Sequence, residues 1–129
     1  MRNLSVFLFL LLVPTVFSAC SRELKADDPL VWKKVKINFK QLDANGLSGP
    51  EGGKVAVHYE FCVPAEERYV KAVKKIDPTA EKNPGAGRVG CGNGTWLMIG
   101  TTQQKHYKRV LYELASQPWI KSIEETFWE

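Results

Sequence analysis

The chain has 129 residues, 44% of them hydrophobic, with a formal net charge of +4. That length allows one domain at most beside any processed segment. A charge this mild, without a dense basic stripe, argues against a dedicated nucleic-acid binder, and the lysines Lys33, Lys34, Lys36 and Lys40 are expected on a solvated strand edge.

Residues 4–13 form an apolar run behind a single basic residue, Arg2. About 20 apolar residues are needed to cross a bilayer, so the run is too short to span one. A basic start, a short apolar core and the small residues Ser18 and Ala19 give the layout of a secretory signal. A buried N-terminal helix or strand is the competing structural reading.

Val16-Phe17-Ser18-Ala19-Cys20 closes this segment. Over these first 20 residues the chain resembles bacterial lipoproteins, in which a small-residue box stands immediately before a cysteine. Phe17 departs from the aliphatic residue usual at its position. The resemblance implies cleavage before Cys20, lipid on its thiol, and a chain held to a membrane surface without spanning it. Cleavage near Ser18 or Ala19 without lipid would instead give a free secreted protein. Residues 1–19 are thus expected to be a signal peptide, 20–29 a polar tether and 30–129 one domain. Loss of Arg2 with the leader leaves 17 basic and 14 acidic residues, a net of +3.

With Cys20 given to lipid, Cys62 and Cys91 remain as a pair. In an oxidising export compartment the simplest state for such a pair is a disulfide. Without export, two free thiols would be expected.

Past the tether, Val31, Val35, Ile37 and Phe39 alternate with polar or bulky neighbours and predict a half-buried strand over Val31–Phe39. Asp43–Gly53 is rich in glycine and reads as a loop. Asp43-Ala44-Asn45-Gly46 lacks the glycine and glutamate placement of a calcium loop, so it is read as turn chemistry.

Lys54–Val63 is the clearest strand: Val55, Val57, Tyr59, Phe61 and Val63 on one face, His58, Glu60 and Cys62 on the other. Tyr69, Ala72, Val73 and Ile76 then recur at helical spacing behind Glu66-Glu67, and Asp77-Pro78 stops the helix. Asn83–Gly94 holds five glycines. Gly85-Ala86-Gly87-Arg88-Val89-Gly90 matches a dinucleotide fingerprint in letters only, because a helix precedes it and a strand follows. A short strand at Arg88–Cys91 and a Gly92-Asn93-Gly94 hairpin turn are expected instead. Asn93-Gly94-Thr95 is also a glycosylation sequon, relevant only to a eukaryotic source.

Trp96–Ile99 is an apolar central strand. Thr101 or Thr102 would cap a second helix carrying Tyr107, Val110, Leu111 and Leu114, stopped by Pro118. Lys121–Glu129 is the last strand. From Lys54 the order is strand, helix, strand, strand, helix, strand, with one apolar stripe on each helix. This fits an α+β, ferredoxin-like βαββαβ two-layer sandwich, with an extra N-terminal edge strand. In that fold Cys62 and Cys91 fall at the same end of the sheet.

No catalytic constellation can be assembled. His58 and Glu60 share a face, but two residues on one strand do not complete a zinc site. No cofactor is expected. Placing Leu97 and Ile99 toward the helices leaves Trp96, Met98 and Trp128 beside His58 and Glu60 on an open sheet face. Aromatics and methionine there suit a protein-binding surface, unless the N-terminal strand folds over it. The sequence thus suggests an exported, lipid-anchored binding domain at the periplasmic or outer cell surface. The alternative is a small periplasmic enzyme or metal-handling protein using His58 and Glu60.

Overall fold

The computed structural model describes residues 26–127. The leader, Cys20 and Trp128 lie outside the described residues. Among the described residues the architecture is α+β, with three α-helices, a five-stranded mixed sheet and a two-stranded sheet.

The chain enters at helix α1 (Pro29–Trp32). Asp28 caps it, accepting from the Leu30 N–H at 2.9 Å, and Pro29 supplies the preset φ of a first helical turn. Strand β1 follows at Val35–Lys36, then a 3₁₀ turn at Phe39–Gln41. The strand expected over Val31–Phe39 is therefore cut to two residues. Its aromatics pack on each other instead, Trp32 edge-on to Phe39 with ring centres 5.7 Å apart. β1 pairs in parallel with the last strand at the sheet edge, so it does not fold over the outer face.

Strands β2 (Leu47–Ser48) and β3 (Val55–Ala56) form the small antiparallel sheet. Asp43 organises the turn into it, accepting from the N–H groups of Asn45 and Leu47 at 2.9 and 3.0 Å. This is the Asx chemistry expected of that tetrapeptide. The long strand read over Lys54–Val63 breaks at Val57, whose N–H donates to the Thr102 hydroxyl at 3.0 Å. β4 then runs His58–Pro64 through the middle of the large sheet.

Helix α2 spans Glu67–Ile76, and Lys74 and Lys75 occupy its last turn, where cations oppose the helix dipole. The next strand, β5, is Glu81–Asn83 rather than Arg88–Cys91. Gly87 and Gly90 take φ of +65° and +74°, and left-handed residues on both sides of Arg88-Val89 prevent an extended run. β6 (Thr95–Thr101), helix α3 (Tyr107–Ala115) and β7 (Ile123–Thr126) complete the chain. The α3 N-cap is His106 in a left-handed conformation, not a threonine. Thr102 is instead buried and donates to the Gly46 carbonyl at 2.5 Å.

The large sheet has the order β1-β7-β4-β6-β5. β4 is antiparallel to both neighbours, and β5 is antiparallel to β6. Register decides the faces. Tyr59, Phe61 and Val63 stand opposite Gly100, Met98 and Trp96, so these six share the side that packs on α2 and α3. Val70, Val73, Leu111 and Leu114 close the core over them. Glu60 and Cys62 stand opposite Ile99 and Leu97 on the outer face.

The expected binding face is therefore corrected. Trp96 and Met98 belong to the helix side, Met98 fully buried, while His58 and Glu60 belong to the other side. The apolar run Trp96–Ile99 offers both faces an equal claim, and only pairing with β4 settles it. Trp96 is half-buried against the core, with the Lys82 ammonium 3.9 Å from its ring centre. Trp96→Ala should thus lower the unfolding free energy by about 1–2 kcal/mol, read from the urea midpoint. An unchanged midpoint would contradict this packing role.

Candidate functional site

On the outer face of the sheet the glycine-rich segment 84–94 lies against Glu60, Cys62 and Leu97. Two clamps hold it there. Cys62 and Cys91 form a disulfide with Cα atoms 5.4 Å apart. Two residues earlier on the same face, Glu60 turns its carboxylate to the same loop and accepts from the Val89 N–H at 2.7 Å. Its other oxygen accepts from the Thr126 hydroxyl at 3.1 Å, leaving Glu60 only 2% exposed. Hydrogen bonds to a buried carboxylate offset the cost of taking it out of water.

Gly87 makes this closeness possible. A Cβ there would lie 2.8 Å from the Leu97 side chain and 3.0 Å from the Glu60 carboxylate, at a φ of +65°. The glycine pattern 85–90 thus serves a close approach of backbone to sheet. The Val89 amide within that pattern donates to the Glu60 carboxylate.

Where the clamped loop meets the end of the sheet, a groove of about 490 Å³ opens. Cys62, Val89, Thr95, Trp119, Lys121 and Ser122 are among the residues that line it. Its size falls within the range of small-molecule sites. Trp119 is half-buried and packs edge-on against Tyr69 at 5.0 Å, which fixes one wall. Lys121 is exposed at the rim and supplies a cation beside mainly apolar walls. Pro118, read only as a helix stop, lies in a turn closed by the Ile120 N–H on the Gln117 carbonyl at 3.1 Å, and Trp119 and Lys121 of the groove follow directly.

A second polar centre lies on the helix side. Asp77 is fully buried and accepts from the Tyr59 hydroxyl, the Thr79 N–H at 2.9 Å, the Thr79 hydroxyl at 2.6 Å and the Gln104 amide at 3.0 Å. Burial, and then the negative charge of Asp77, push the Tyr59 phenol well above the ordinary tyrosine range. Gly100 leaves room for this group: a Cβ there would lie 2.6 Å from an Asp77 oxygen and 2.7 Å from the Tyr59 ring. Among the described residues no buried side-chain oxygen or nitrogen lacks a hydrogen-bond partner. A network so satisfied, with Asp77 and Tyr59 buried and Thr79 and Gln104 half-buried at its edge, holds the fold together.

Of the residues singled out from the sequence, Cys62, Cys91 and Glu60 come together around the loop. His58 lies farther along the same face, opposite Thr101 and Thr126. Among the described residues no group of three or more His, Cys, Asp or Glu side chains could hold a metal ion. No helix among them is long and apolar enough to cross a membrane. Comparison with protein-family models, curated proteins and solved structures finds no match to this chain.

Proposed function

We propose that this is an exported, lipid-anchored domain that binds a small ligand with an apolar body and one anionic group. The observation that carries it is the groove at the disulfide end of the sheet, with the Trp119 ring in its wall and the Lys121 cation at its rim. An aromatic wall buries a planar apolar body, and a rim cation orients its charge. The disulfide supports export, since such bonds persist in oxidising compartments. The signal-like leader ending at Cys20 supports the anchor. The strand order β7-β4-β6-β5, all antiparallel, with both helices on one face, supports a ferredoxin-like core to which β1 adds an edge.

Two measurements test the reading. Anilinonaphthalene sulfonate, a planar apolar body with one negative charge, should bind the folded domain at one site. Trp119→Ala should weaken that binding about ten-fold, as loss of an aromatic anchor does, and Lys121→Glu several-fold. Binding indifferent to both changes would remove the groove from consideration. Intact mass of the membrane-fraction protein should give a chain beginning at Cys20 with added acyl groups. A lipid-free product beginning elsewhere would retire the anchor and leave the groove to stand on the binding data.

A further inference from the structure

The path of the chain into the domain fixes which surface lies nearest an anchor. Asp27 accepts from the Arg109 guanidinium at 3.0 Å and from the Trp32 indole at 3.2 Å. The Asp28 N–H donates to the Tyr112 hydroxyl at 2.8 Å. Both partners on α3 belong to its exposed side or edge, so the chain is tied to the outside of the helix layer from Asp27 onward. Six covalent steps separate Cys20 from Ala26, which reach about 20 Å at full extension. A lipid on Cys20 therefore keeps this surface close to the headgroups.

The surface itself has the chemistry of a membrane contact. Leu30 on α1 is 67% exposed, the most exposed of the large hydrophobic side chains among the described residues. Lys33 ends α1, Lys40 lies in the 3₁₀ turn, and Lys108 stands on α3 with its ammonium 5.8 Å from the Phe39 ring centre. Trp32 joins these elements, edge-on to Phe39 and tilted against Tyr112. All three lysines are exposed, and none takes part in the ion pairs formed among the described residues. The nearby acids are already engaged: Asp27 and Glu113 both pair with Arg109. An exposed leucine among unpaired lysines suits an anionic bilayer surface, where each cation adds to the attraction.

We propose that the α1–α3 surface, through Leu30, Lys33, Lys40 and Lys108, rests on the anionic headgroups of the membrane that holds Cys20. This deepens the anchor reading and rests on it. The ligand groove is built on other elements, the outer-face loop and the segment 119–122, so a bilayer beneath α1 and α3 leaves it open.

The test uses the full mature chain, acylated, in vesicles of phosphatidylethanolamine and phosphatidylglycerol, treated with a water-soluble amine-acylating reagent. Peptide mass spectrometry should find Lys33, Lys40 and Lys108 modified several-fold less than Lys71 and Lys75 on α2. The same lysines should react equally in a lipid-free Cys20→Ser chain in solution. Equal modification in vesicles, or protection on α2 instead, overturns the proposal. Protection that persists in the lipid-free chain assigns the surface to a second copy and also overturns it.

A second arm does not depend on the anchor. The Cys20→Ser chain should sediment with phosphatidylglycerol vesicles and not with phosphatidylcholine vesicles. Lys33→Gln and Lys108→Gln should each weaken that binding about five-fold, the effect of one cation near an anionic surface. Failure to sediment with either vesicle overturns the surface, whereas absence of acyl mass on the native chain overturns the anchor alone.

Discussion

Asp77→Ala is expected to lower the unfolding free energy by about 2–4 kcal/mol, because it takes the acceptor from the buried Tyr59 hydroxyl and from the half-buried Thr79 and Gln104 donors. Tyr59, Thr79 and Gln104 all donate to this carboxylate; Tyr59 is fully buried, while Thr79 and Gln104 are half-buried. Tyr59→Phe removes a single donor and should cost about 1–1.5 kcal/mol. The two values are not additive with the rest of the network, since its members share partners. Urea unfolding of both variants checks this, and a loss under about 1 kcal/mol for Asp77→Ala would mean that the carboxylate is dispensable.

The same group gives a pH dependence of definite sign. A tyrosine raised in the folded state is held neutral there, while in the unfolded chain it ionises near its ordinary value of 10.0. The stabilisation is complete below that pH and falls as pH rises above it, because the unfolded state then loses protons that the folded state keeps. Burial and the nearby Asp43 charge raise Tyr107 in the same direction. Tyr59→Phe should therefore flatten the alkaline loss of stability without abolishing it, as followed by thermal unfolding between neutral pH and about 11.

The elements legible in the sequence are those whose apolar period is sustained. β4 and the two long helices each bury one stripe, and periodicity alone finds them. β5 is missed because Glu81, Lys82 and Asn83 carry no apolar alternation, as suits a three-residue edge strand. α1 is shorter than any periodicity window, although its capping pair Asp28-Pro29 stands in plain view. The face of β6 is ambiguous because Trp96 to Ile99 are apolar on both sides, and a shift of one residue exchanges them.

The sites are less legible for a related reason. Glu60 reads as a solvated strand residue and Asp77 as a helix stop. What buries each carboxylate is a donor brought from afar: the Val89 amide 29 residues away for Glu60, the Gln104 amide 27 residues away for Asp77. The cysteines are the exception: once the lipoprotein resemblance sets Cys20 aside, Cys62 and Cys91 are left to each other, and they are bonded. Trp119 and Lys121 follow a proline that signals only an end, and nothing local tells that they face the clamped loop.

Removing the disulfide tests how far that loop depends on its clamps. Cys62 and Cys91 are 29 residues apart, so the chain-entropy account assigns their link about 3–4 kcal/mol. Cys62→Ser with Cys91→Ser should lose that amount in oxidised protein and nothing further under reductant. The loss should also have a place. Gly87 still lies close against Leu97, but the Glu60 contact through Val89 then rests on a segment tied beyond it only within the loop, by the Cys91 N–H to the Ala86 carbonyl at 2.7 Å. Amide exchange at Val89 should therefore quicken by more than the global loss of stability accounts for, while amides of β4 and β6 quicken only in proportion to it. If Val89 stays as protected as the core strands, the carboxylate of Glu60 is clamp enough. The disulfide would then act on the unfolded chain alone, and the groove wall would survive a reducing environment.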